Sequence, residues 1–343
     1  MKTMRLGKTG LSVSRIGIGG IPIQRPPEET AIKVLQRCFD LGISYIDTSI
    51  AYGTSEERIG KAIPDYRDDI IIATKTGWRD IDMANECLEK SLTNLRTDYI
   101  DIWQFHNVST LSAFKQVFKS DGAMEAAQQA LEEGKINHIG ISSHSLEIAR
   151  RAITSGDFST VLFPFNFVRS EPVEELLLLA QKHDVGFVAM KPFAGGTIKD
   201  ANIAIKYLLQ FDTVLPVVGV EKISEIEEIV DIVKGAWDLT PQDRHMMETI
   251  HVQLDKTLCR QCGDCQPCPQ GVHVQMLMIT KGMWRLWPRE EFLNRWMPNA
   301  VKSWDNCDQC EECEQKCLYH LPIRKIISEN IAFYNKVAQG IIQ

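Results

Sequence analysis

Four polar residues in the first third of the chain have side chains that together could move a proton. Asp47, Lys75 and His106 each end a short apolar run, and Tyr52 follows Asp47 by five positions. A free phenol has a pKa near ~10 and donates protons poorly at neutral pH. An ammonium nearby favours the phenolate, so Lys75 is expected to lower the pKa of Tyr52 while Asp47 holds the amine. With His106 hydrogen-bonding the oxygen that becomes negative, the set suits protonation of an alkoxide after a hydride reaches a carbonyl carbon, or the reverse.

A second set of reactive residues lies towards the C-terminus. Eight of the ten cysteines fall between Cys259 and Cys317. In a reducing compartment, crowded cysteines indicate metal binding rather than disulfides. Three cysteines at successive two-residue gaps suit one corner of an iron–sulfur cubane, and structural zinc, the alternative, more often uses two separated Cys-x-x-Cys pairs. The pattern predicts two [4Fe–4S] clusters, with ligands from Cys259, Cys262, Cys265, Cys268, Cys307, Cys310, Cys313 and Cys317.

The elements that would position the four polar residues alternate between buried strands and amphipathic helices. Most of the strand-like runs are nearly continuous in apolar residues, as expected of strands buried on both faces. Helical patterns such as Glu28–Leu41 and Met83–Leu95 separate them. This alternation predicts an α/β fold, a (β/α)8 TIM barrel, in which chemistry lies at the carboxyl ends of the strands. The predicted strands are Ile16–Gly19, Ile43–Asp47, Ile70–Lys75, Tyr99–His106, Ile136–Ser142, Thr160–Asn166, Gly186–Lys191 and Val214–Val218.

Two segments flank the predicted barrel. Residues 5–14 read as two short strands around a glycine turn, a hairpin that could plug the amino-terminal end of the barrel. The alternation stops near Gly235, and Thr240 followed by Pro241 indicates a new helix start. We therefore expect a barrel over residues 1–235, followed over residues 236–343 by a linker helix and a mainly helical cysteine module. Four tryptophans between the cysteine groups are expected to pack this module onto the barrel, or else to wall a substrate pocket: Trp284, Trp287, Trp296 and Trp304.

Several of these motifs resemble the aldo-keto reductase family, over about residues 4–235. Met4–Leu11 is similar to the family's N-terminal hairpin, and Asp47–Gly53 to its best-known signature. Ala73–Thr76 and Gln104–Asn107 are similar to the other two catalytic segments. The resemblance implies hydride transfer between a nicotinamide cofactor, NADP or NAD, and a small-molecule carbonyl or alcohol substrate.

The resemblance also implies roles for individual residues. Tyr52 would be the general acid/base, tuned by Lys75 and Asp47, and His106 would orient the carbonyl. Ser143 stands where Asn is usual for holding the carboxamide, and Met190 where an aromatic residue usually stacks on nicotinamide. The implied cofactor-binding residues are Gly20, Ser142, Ser143, Met190, Lys191, Pro192, Phe193, Gly195, Gly196 and Lys222.

The choice between NADPH and NADH stays open at this point. Near residues 219–228 the family often has a cation for the adenosine 2′-phosphate. Lys222 is the only cation in that stretch and stands among four glutamates. This charge balance weakens the expectation of an NADPH preference.

The two cysteine groups resemble bacterial dicluster ferredoxins, in which the fourth ligand crosses over between clusters. Cys317 would then complete the first cluster and Cys268 the second. This chain departs from that pattern, because two residues rather than three separate Cys265 from Cys268 and Leu318 stands where Pro is usual. The combined architecture resembles a branch of aldo-keto reductases with a C-terminal, ferredoxin-like iron–sulfur module. The clusters could relay electrons to an external electron carrier or simply hold the module together.

The composition excludes some partners and leaves one alternative function. A formal net charge of −7 argues against nucleic-acid binding, and no apolar run approaches the ~18–20 residues of a membrane span. No signal-peptide pattern begins the sequence, so a cytoplasmic location is expected. Cys38 and Cys87 stand apart from the other cysteines and are expected to be buried. The alternative function is a redox sensor or electron carrier whose barrel binds nucleotide without efficient carbonyl turnover.

Overall fold

An N-terminal hairpin leads into a closed barrel of eight parallel strands in the computed structural model, which describes residues 1–342. The hairpin strands β1 (Thr3–Arg5) and β2 (Ser12–Ser14) are antiparallel. Each barrel strand pairs with the next along the chain, and the last pairs with the first to close the barrel. The barrel strands are β3 (Gly17–Gly19), β4 (Tyr45–Asp47), β5 (Ile71–Thr76), β6 (Ile100–Phe105), β7 (Ile136–Ser142), β8 (Thr160–Pro164), β9 (Gly186–Met190) and β10 (Val214–Val218).

The predicted barrel is confirmed, with small differences at the strand ends. The predicted and observed bounds agree for β7 and β10, and the other strands are shifted or shortened by one or two residues at their ends. His106 and Lys191 therefore lie one position beyond β6 and β9. A strand ends where its neighbour stops pairing, and an apolar run alone does not define that point.

Helices cover the outside of the barrel because each carries one apolar face. In α1, for example, Val34, Leu35 and Cys38 are buried. Cys87 in α3 is buried as well, as predicted for both isolated cysteines. The barrel helices are α1 (Glu28–Asp40), α2 (Ser55–Ala62), α3 (Ile81–Leu95), α4 (Leu111–Val117), α5 (Ala123–Glu132), α6 (Leu146–Ser155), α7 (Leu176–Lys182), α8 (Ala201–Leu209) and α9 (Ile223–Lys234).

The hairpin forms the floor of the barrel. Leu6 and Val13 are both 0% exposed and pack against inward-facing strand residues such as Tyr45 and Leu215. Gly7 must be a glycine here, because its φ is +51° and a Cβ would lie 2.2 Å from the backbone nitrogen of Gly186. The hairpin therefore leaves only the opposite end of the barrel, where the strands end, open to a ligand.

The C-terminal region is helical. Its first helix, α10 (Pro241–Asp255), begins at the predicted residue with Thr240 as its N-cap. Met247, Ile250 and Leu254 of α10 pack against apolar residues of the barrel. The remaining helices are α11 (Val274–Met278), α12 (Thr280–Leu286), α13 (Arg289–Glu291), α14 (Met297–Ser303), α15 (Glu312–Gln315) and α16 (Ile323–Ala338), with a π-helical turn at Phe292–Trp296.

Two features of this region differ from the sequence prediction. Trp284, Trp287 and Trp296 lie in an apolar cluster whose members all belong to residues 276–342. These tryptophans therefore build the module's own core rather than joining it to the barrel. The long helix α16 was not among the predicted helices, although its buried Ile323, Ile327 and Asn330 recur at helical spacing.

Within residues 1–342, no helix has the length and apolar character that crossing a membrane requires.

Candidate active site and cysteine pockets

Side-chain alternation along the strands places the polar residues above an apolar layer. Successive residues of a strand point to opposite faces, so residues two apart share a face. Parallel pairing sets Asp47 beside Ala73, and Lys75 beside Gln104. The apolar layer contacts the hairpin, and the polar layer lies two residues nearer the open end. The apolar layer includes Tyr45, Ala73 and Ile102, and the polar layer above it consists of Asp47, Lys75 and Gln104.

Lys75 is the centre of a buried polar network. Its ammonium is 0% exposed and donates to Asp47 Oδ1 at 2.6 Å and to the Thr48 carbonyl at 2.6 Å. Gln104 Nε2 donates to the other oxygen of Asp47 at 2.8 Å. Both oxygens of the carboxylate are therefore bonded, as a buried charge requires.

Tyr52 and His106 lie beside this network. Lys75 Nζ lies 4.8 Å from the centroid of the Tyr52 ring, and the Tyr52 hydroxyl lies 3.5 Å from His106 Nε2. The other ring nitrogen of His106 lies 3.3 Å from the hydroxyl of Ser49. Arg79 donates to the His106 carbonyl at 2.6 Å and so restrains the loop after β6. The four predicted catalytic residues therefore meet at one end of the barrel.

The electrostatics of this cluster differ from the sequence expectation in one respect. Burial raises the pKa of Tyr52 above its ordinary value, although the Lys75 charge acts in the expected, lowering direction. Burial would lower the pKa of Lys75, but Asp47 and Tyr52 together raise it. Burial, helped by the charges of Lys75 and Arg79, lowers the pKa of His106 to about 3. At neutral pH the site therefore holds a protonated phenol, an ammonium and a neutral imidazole.

The residues predicted to hold the carboxamide are only partly free to do so. Ser142 Oγ accepts from the backbone N–H of Asn107 at 2.8 Å. Ser143 Oγ is engaged in the turn before α6, where it accepts from the N–H of Ser145 at 3.1 Å. Gly20 has a structural reason to lack a side chain, because a Cβ there would lie 2.7 Å from the hydroxyl of Ser55.

The predicted nicotinamide and pyrophosphate segment follows β9 and bends sharply. Met190 ends the strand, and Phe193 packs against the barrel core. Lys191, Gly195 and Gly196 have φ of +59°, +68° and +80°. Nothing lies within 4 Å of the position that a Cβ on Gly195 would occupy. Backbone without a side chain is therefore open to a ligand at Gly195, three positions after the buried Pro192.

Lys191 joins the barrel to the cysteine region. Its ammonium lies 2.9 Å from His144 Nε2 and donates to the side-chain oxygen of Gln261 at 2.8 Å. His144 Nδ1 in turn lies 3.2 Å from the side-chain oxygen of Asn107, the residue after His106. Burial lowers the pKa of Lys191 to about 7. The Lys191 side chain is thus engaged at the junction between the two regions.

The predicted adenosine-phosphate region carries little free positive charge of its own. Lys222 is exposed at the start of α9, where Glu225 accepts from the backbone N–H groups of Glu221 and Lys222. The Glu221 carboxylate also accepts from Arg25 at 2.8 Å. The charge of Arg25 is therefore already paired with a carboxylate.

The eight clustered cysteines surround two pockets. Cys259, Cys262, Cys265 and Cys317 line one of them. The second pocket is lined by Cys268, Cys307, Cys310 and Cys313, together with Cys265, which lies between the two pockets. Among the described residues, no three His, Cys, Asp or Glu side chains come close enough together to hold a single metal ion.

Two residues of the polar network at the open end of the barrel were not assigned a role from the sequence. Gln104 holds Asp47, and Ser49 faces His106. Gln104 stands between Trp103 and Phe105 in a buried strand, two positions before His106, so its polarity and position were a usable signal. Ser49 gives no comparable signal, because a serine after a strand is common in loops.

Comparison with known proteins identifies the family. The model of the aldo/keto reductase family matches residues 15–204. The aldo-keto reductase YhdN of Bacillus subtilis is 34% identical over 204 residues, which are 54% of this chain and 60% of that protein. An uncharacterized oxidoreductase of the same organism, YqkF, is 31% identical over 214 residues, 58% of this chain and 67% of that protein.

A solved structure supports the same assignment. The holo form of an aldo-keto reductase from Bacillus halodurans superposes with a TM-score of 0.64 at 26% identity, covering 73% of this chain and 96% of that one. The family match ends within α8, so the cysteine region lies outside it. The chain therefore belongs to the aldo/keto reductase family and is an oxidoreductase.

Proposed function

We propose that this chain is a nicotinamide-dependent reductase of a small carbonyl compound, or a dehydrogenase of the matching alcohol, with Tyr52 as its general acid/base. The observation that carries the proposal is a set of buried contacts at the open end of the barrel, called the barrel mouth below, which brings together Asp47, Tyr52, Lys75 and His106. Lys75 is 2.6 Å from Asp47, and the Tyr52 ring lies next to its ammonium. Such a cluster places a proton donor, a fixed charge and a neutral imidazole within reach of one oxygen atom.

Each residue has a separate task in this scheme. When bound, the reduced nicotinamide supplies a hydride to the carbonyl carbon. Tyr52 donates its proton to the carbonyl oxygen as the C–O π bond breaks, and the Lys75 ammonium stabilises the phenolate left behind. Asp47 holds that ammonium in place. The reverse reaction uses the same groups, with the phenolate as base.

His106 is suited to orient the substrate oxygen as a neutral donor. The Ser49 hydroxyl faces Nδ1, and donation to that nitrogen leaves the ring proton on Nε2. Nε2 faces the Tyr52 hydroxyl, so both groups can bind one substrate oxygen. This arrangement needs a low pKa for the imidazole, and burial provides it.

The backbone after β9 fits a dinucleotide. The open, left-handed turn at Gly195 and Gly196 gives a phosphate close access to the backbone. Ser142, Ser143 and Met190 would surround the nicotinamide, with Met190 supplying a polarisable surface. Because Arg25 is paired with Glu221 and Lys222 stands among four glutamates, we propose that NADH is bound at least as well as NADPH.

We also propose that the C-terminal module holds two [4Fe–4S] clusters. Four cysteines line one pocket and five the other, and Cys265 is common to both; with Cys265 assigned to the first, the two sets of four are those implied by a crossover of Cys317 and Cys268. In a cubane each thiolate binds a different iron atom, so four cysteines spread around a pocket suit a cluster rather than one zinc ion. We propose a division into residues 1–235 and 236–343, because two apolar clusters are confined to residues 259–342, while α10 packs on the barrel as a linker helix.

A steady-state assay with a panel of aldehydes and ketones tests the barrel chemistry. Tyr52→Phe is expected to lower kcat/KM by ~10²–10⁴-fold, because it removes the proton donor. Tyr45→Phe is the matched control, since its buried hydroxyl has no hydrogen-bond partner among the described residues. Equal losses in the two variants, or full activity in Tyr52→Phe, would contradict the assignment of the acid.

Anaerobic preparation with iron and sulfide analysis tests the module. Two clusters require about eight iron and eight sulfide per chain, with the broad absorption of [4Fe–4S] centres. Cys313→Ser should remove about half of the iron, and Cys87→Ser, at a buried cysteine of the barrel, should remove none. Stoichiometric zinc without sulfide would refute the clusters.

One contact favours a second candidate function, an electron carrier or redox sensor. The loop between Cys259 and Cys262 reaches the barrel through Gln261 and Lys191. This alternative would be established by two results together. The barrel would bind nucleotide without turning over any carbonyl, and the module would exchange electrons with a ferredoxin. Turnover that depends on Tyr52 and is indifferent to the oxidation state of the clusters would exclude it.

A further inference from the structure

Helix α12 of the C-terminal module lies against the glycine turn of the barrel. Arg285 Nη1 donates to the Thr197 hydroxyl at 3.1 Å. Its Cδ lies 3.4 Å from the position that a Cβ on Gly196 would occupy. The guanidinium therefore lies at the turn that would receive the dinucleotide phosphates, although it comes from outside the barrel.

The charge of Arg285 is not compensated by a carboxylate. None of the ion pairs among residues 1–342 includes Arg285, whereas nearby Arg25 is paired with Glu221 at 2.8 Å. The backbone carbonyl of Arg285 accepts from Arg25 at 2.5 Å. This bond ties α12 to the segment at Glu221, so the helix is held against both predicted phosphate-binding segments of the barrel.

The surroundings of Arg285 suit a diphosphate group. The backbone at Gly195 is open, with nothing within 4 Å of a Cβ position, and the left-handed φ of Gly195 and Gly196 favours residues without a side chain. A guanidinium offers several N–H donors in a planar fork that matches phosphate oxygens. The donor to Thr197 is Nη1, and no other hydrogen bond from this guanidinium occurs within the described chain.

We propose that Arg285 binds the pyrophosphate of the dinucleotide, so that the cysteine module completes the cofactor site of the barrel. This inference rests on the proposed nicotinamide dependence. It assigns the pyrophosphate rather than the adenosine 2′-phosphate, because Arg285 contacts the turn at Gly196 and Thr197 and not the start of α9. The module then has a role in binding whether or not its clusters carry electrons.

Binding of NADH and NADPH to the intact, anaerobically prepared protein tests the proposal. Dissociation constants are measured by titration for the wild type, Arg285→Gln and Lys281→Gln. The control Lys281 is exposed one turn earlier on α12, so its substitution removes a charge from the same helix. We expect Arg285→Gln to weaken both nucleotides by about ten- to hundredfold, because a charge-assisted contact to phosphate is lost. Lys281→Gln should leave both unchanged.

A second variant guards against misfolding of the first. Arg285→Lys keeps the charge without the fork and should bind both nucleotides more tightly than Arg285→Gln but less tightly than the wild type. Unchanged iron content in both variants shows that the module is intact. If Arg285→Gln loses iron, the ranking of the wild type, Arg285→Lys and Lys281→Gln decides, and equal affinities in these three refute the proposal.

The outcomes separate this inference from the proposed function. Tight binding of both nucleotides by the wild type with no effect of Arg285→Gln refutes only the role of Arg285. Weakening of NADPH alone places the guanidinium at the 2′-phosphate and overturns the pyrophosphate assignment. Binding of neither nucleotide by the wild type defeats the proposed function, and this inference with it.

Discussion

The barrel mouth and the cysteine module organise their reactive groups in different ways. At the mouth, side chains bond directly to one another: Lys75 to Asp47 at 2.6 Å, and Gln104 to the same carboxylate at 2.8 Å. In the module, the thiols face two pockets, and every described cysteine is free of disulfides. The polar side chains of the mouth are therefore bonded to one another, whereas the cysteines of the module line pockets.

The barrel and the module also differ in the apolar cores that stabilise them. The barrel has a large continuous apolar core, which contains residues from its strands and from its helices. The module has two smaller clusters, and partly buried cysteines pack against one of them. Two small apolar clusters bury less surface than one continuous core, and metal binding can supply further free energy of folding. We therefore expect the barrel to fold on its own contacts and the module to depend on the proposed [4Fe–4S] clusters.

Removal of iron should have the largest effect and tests this contrast directly. Chelation under anaerobic, reducing conditions is expected to abolish most amide-hydrogen protection in α11, α14 and α16, because the thiolates lose the group that holds them. The strands β5 and β6 should keep their protection. Hydrogen exchange followed by mass spectrometry measures both regions in one sample. A module that stays protected without iron would show that its apolar clusters suffice.

The next largest effect is expected from the buried ion pair of the mouth. Asp47→Asn leaves the Lys75 ammonium buried without a counter-ion and should lower the free energy of unfolding by ~3–5 kcal/mol. Glu28→Gln is the control, because it breaks an ion pair of similar length, 2.7 Å, in which both side chains are partly exposed. That loss should stay below ~1 kcal/mol. Urea unfolding compares the two variants. Equal losses of stability would show that the Asp47–Lys75 pair contributes no more than a partly exposed ion pair.

A smaller effect is expected from the bond behind this pair. Gln104→Leu removes the donor to Asp47 and leaves a buried carboxylate oxygen unpaired, which should cost ~1–3 kcal/mol of stability. Because Asp47 also holds Lys75, the alkaline limit of carbonyl reduction should shift as the Tyr52 pKa changes. The measurement is a pH profile of kcat/KM beside an unfolding curve. A stability loss without any shift in the profile would make Gln104 purely structural.

The smallest effect concerns the pH dependence near neutrality. A pKa of about 3 keeps His106 neutral down to acid pH, and the raised pKa of Tyr52 keeps the phenol protonated above neutrality. Carbonyl reduction should therefore change less than about twofold in kcat/KM between pH 5 and 8. An inflection near pH ~6.5, the usual pKa of His, that disappears in His106→Gln would show that the imidazole titrates in the working range.

Local sequence patterns were enough for most of the barrel. Most of the strands are buried on both faces, so their apolar runs are nearly continuous and visible in the sequence, as in β10. The helix α10 was predictable at its first residue because Thr240 and Pro241 satisfy the requirements of a helix start. The helix α16 is an exception, because no N-cap side chain marks its start and Pro322 precedes it, although its apolar repeat is present.

The contacts between distant residues could not be predicted in this way. Whether burial or the Lys75 ammonium dominates the pKa of Tyr52 depends on how completely the barrel closes around the phenol. The side of the module on which the tryptophans pack likewise depends on how its helices fold together.

The amino-acid sequence by itself determined the alternation of strands and helices, the residue types at the mouth and the spacing of the cysteines, because these depend on neighbours along the chain. Only the tertiary structure decided that Gln104 supports Asp47, that Lys191 meets Gln261 and that Arg285 lies at Gly196. Those pairs come together through closure of the barrel and docking of the module. Both are set by the packing of whole surfaces, which no local pattern of residues records.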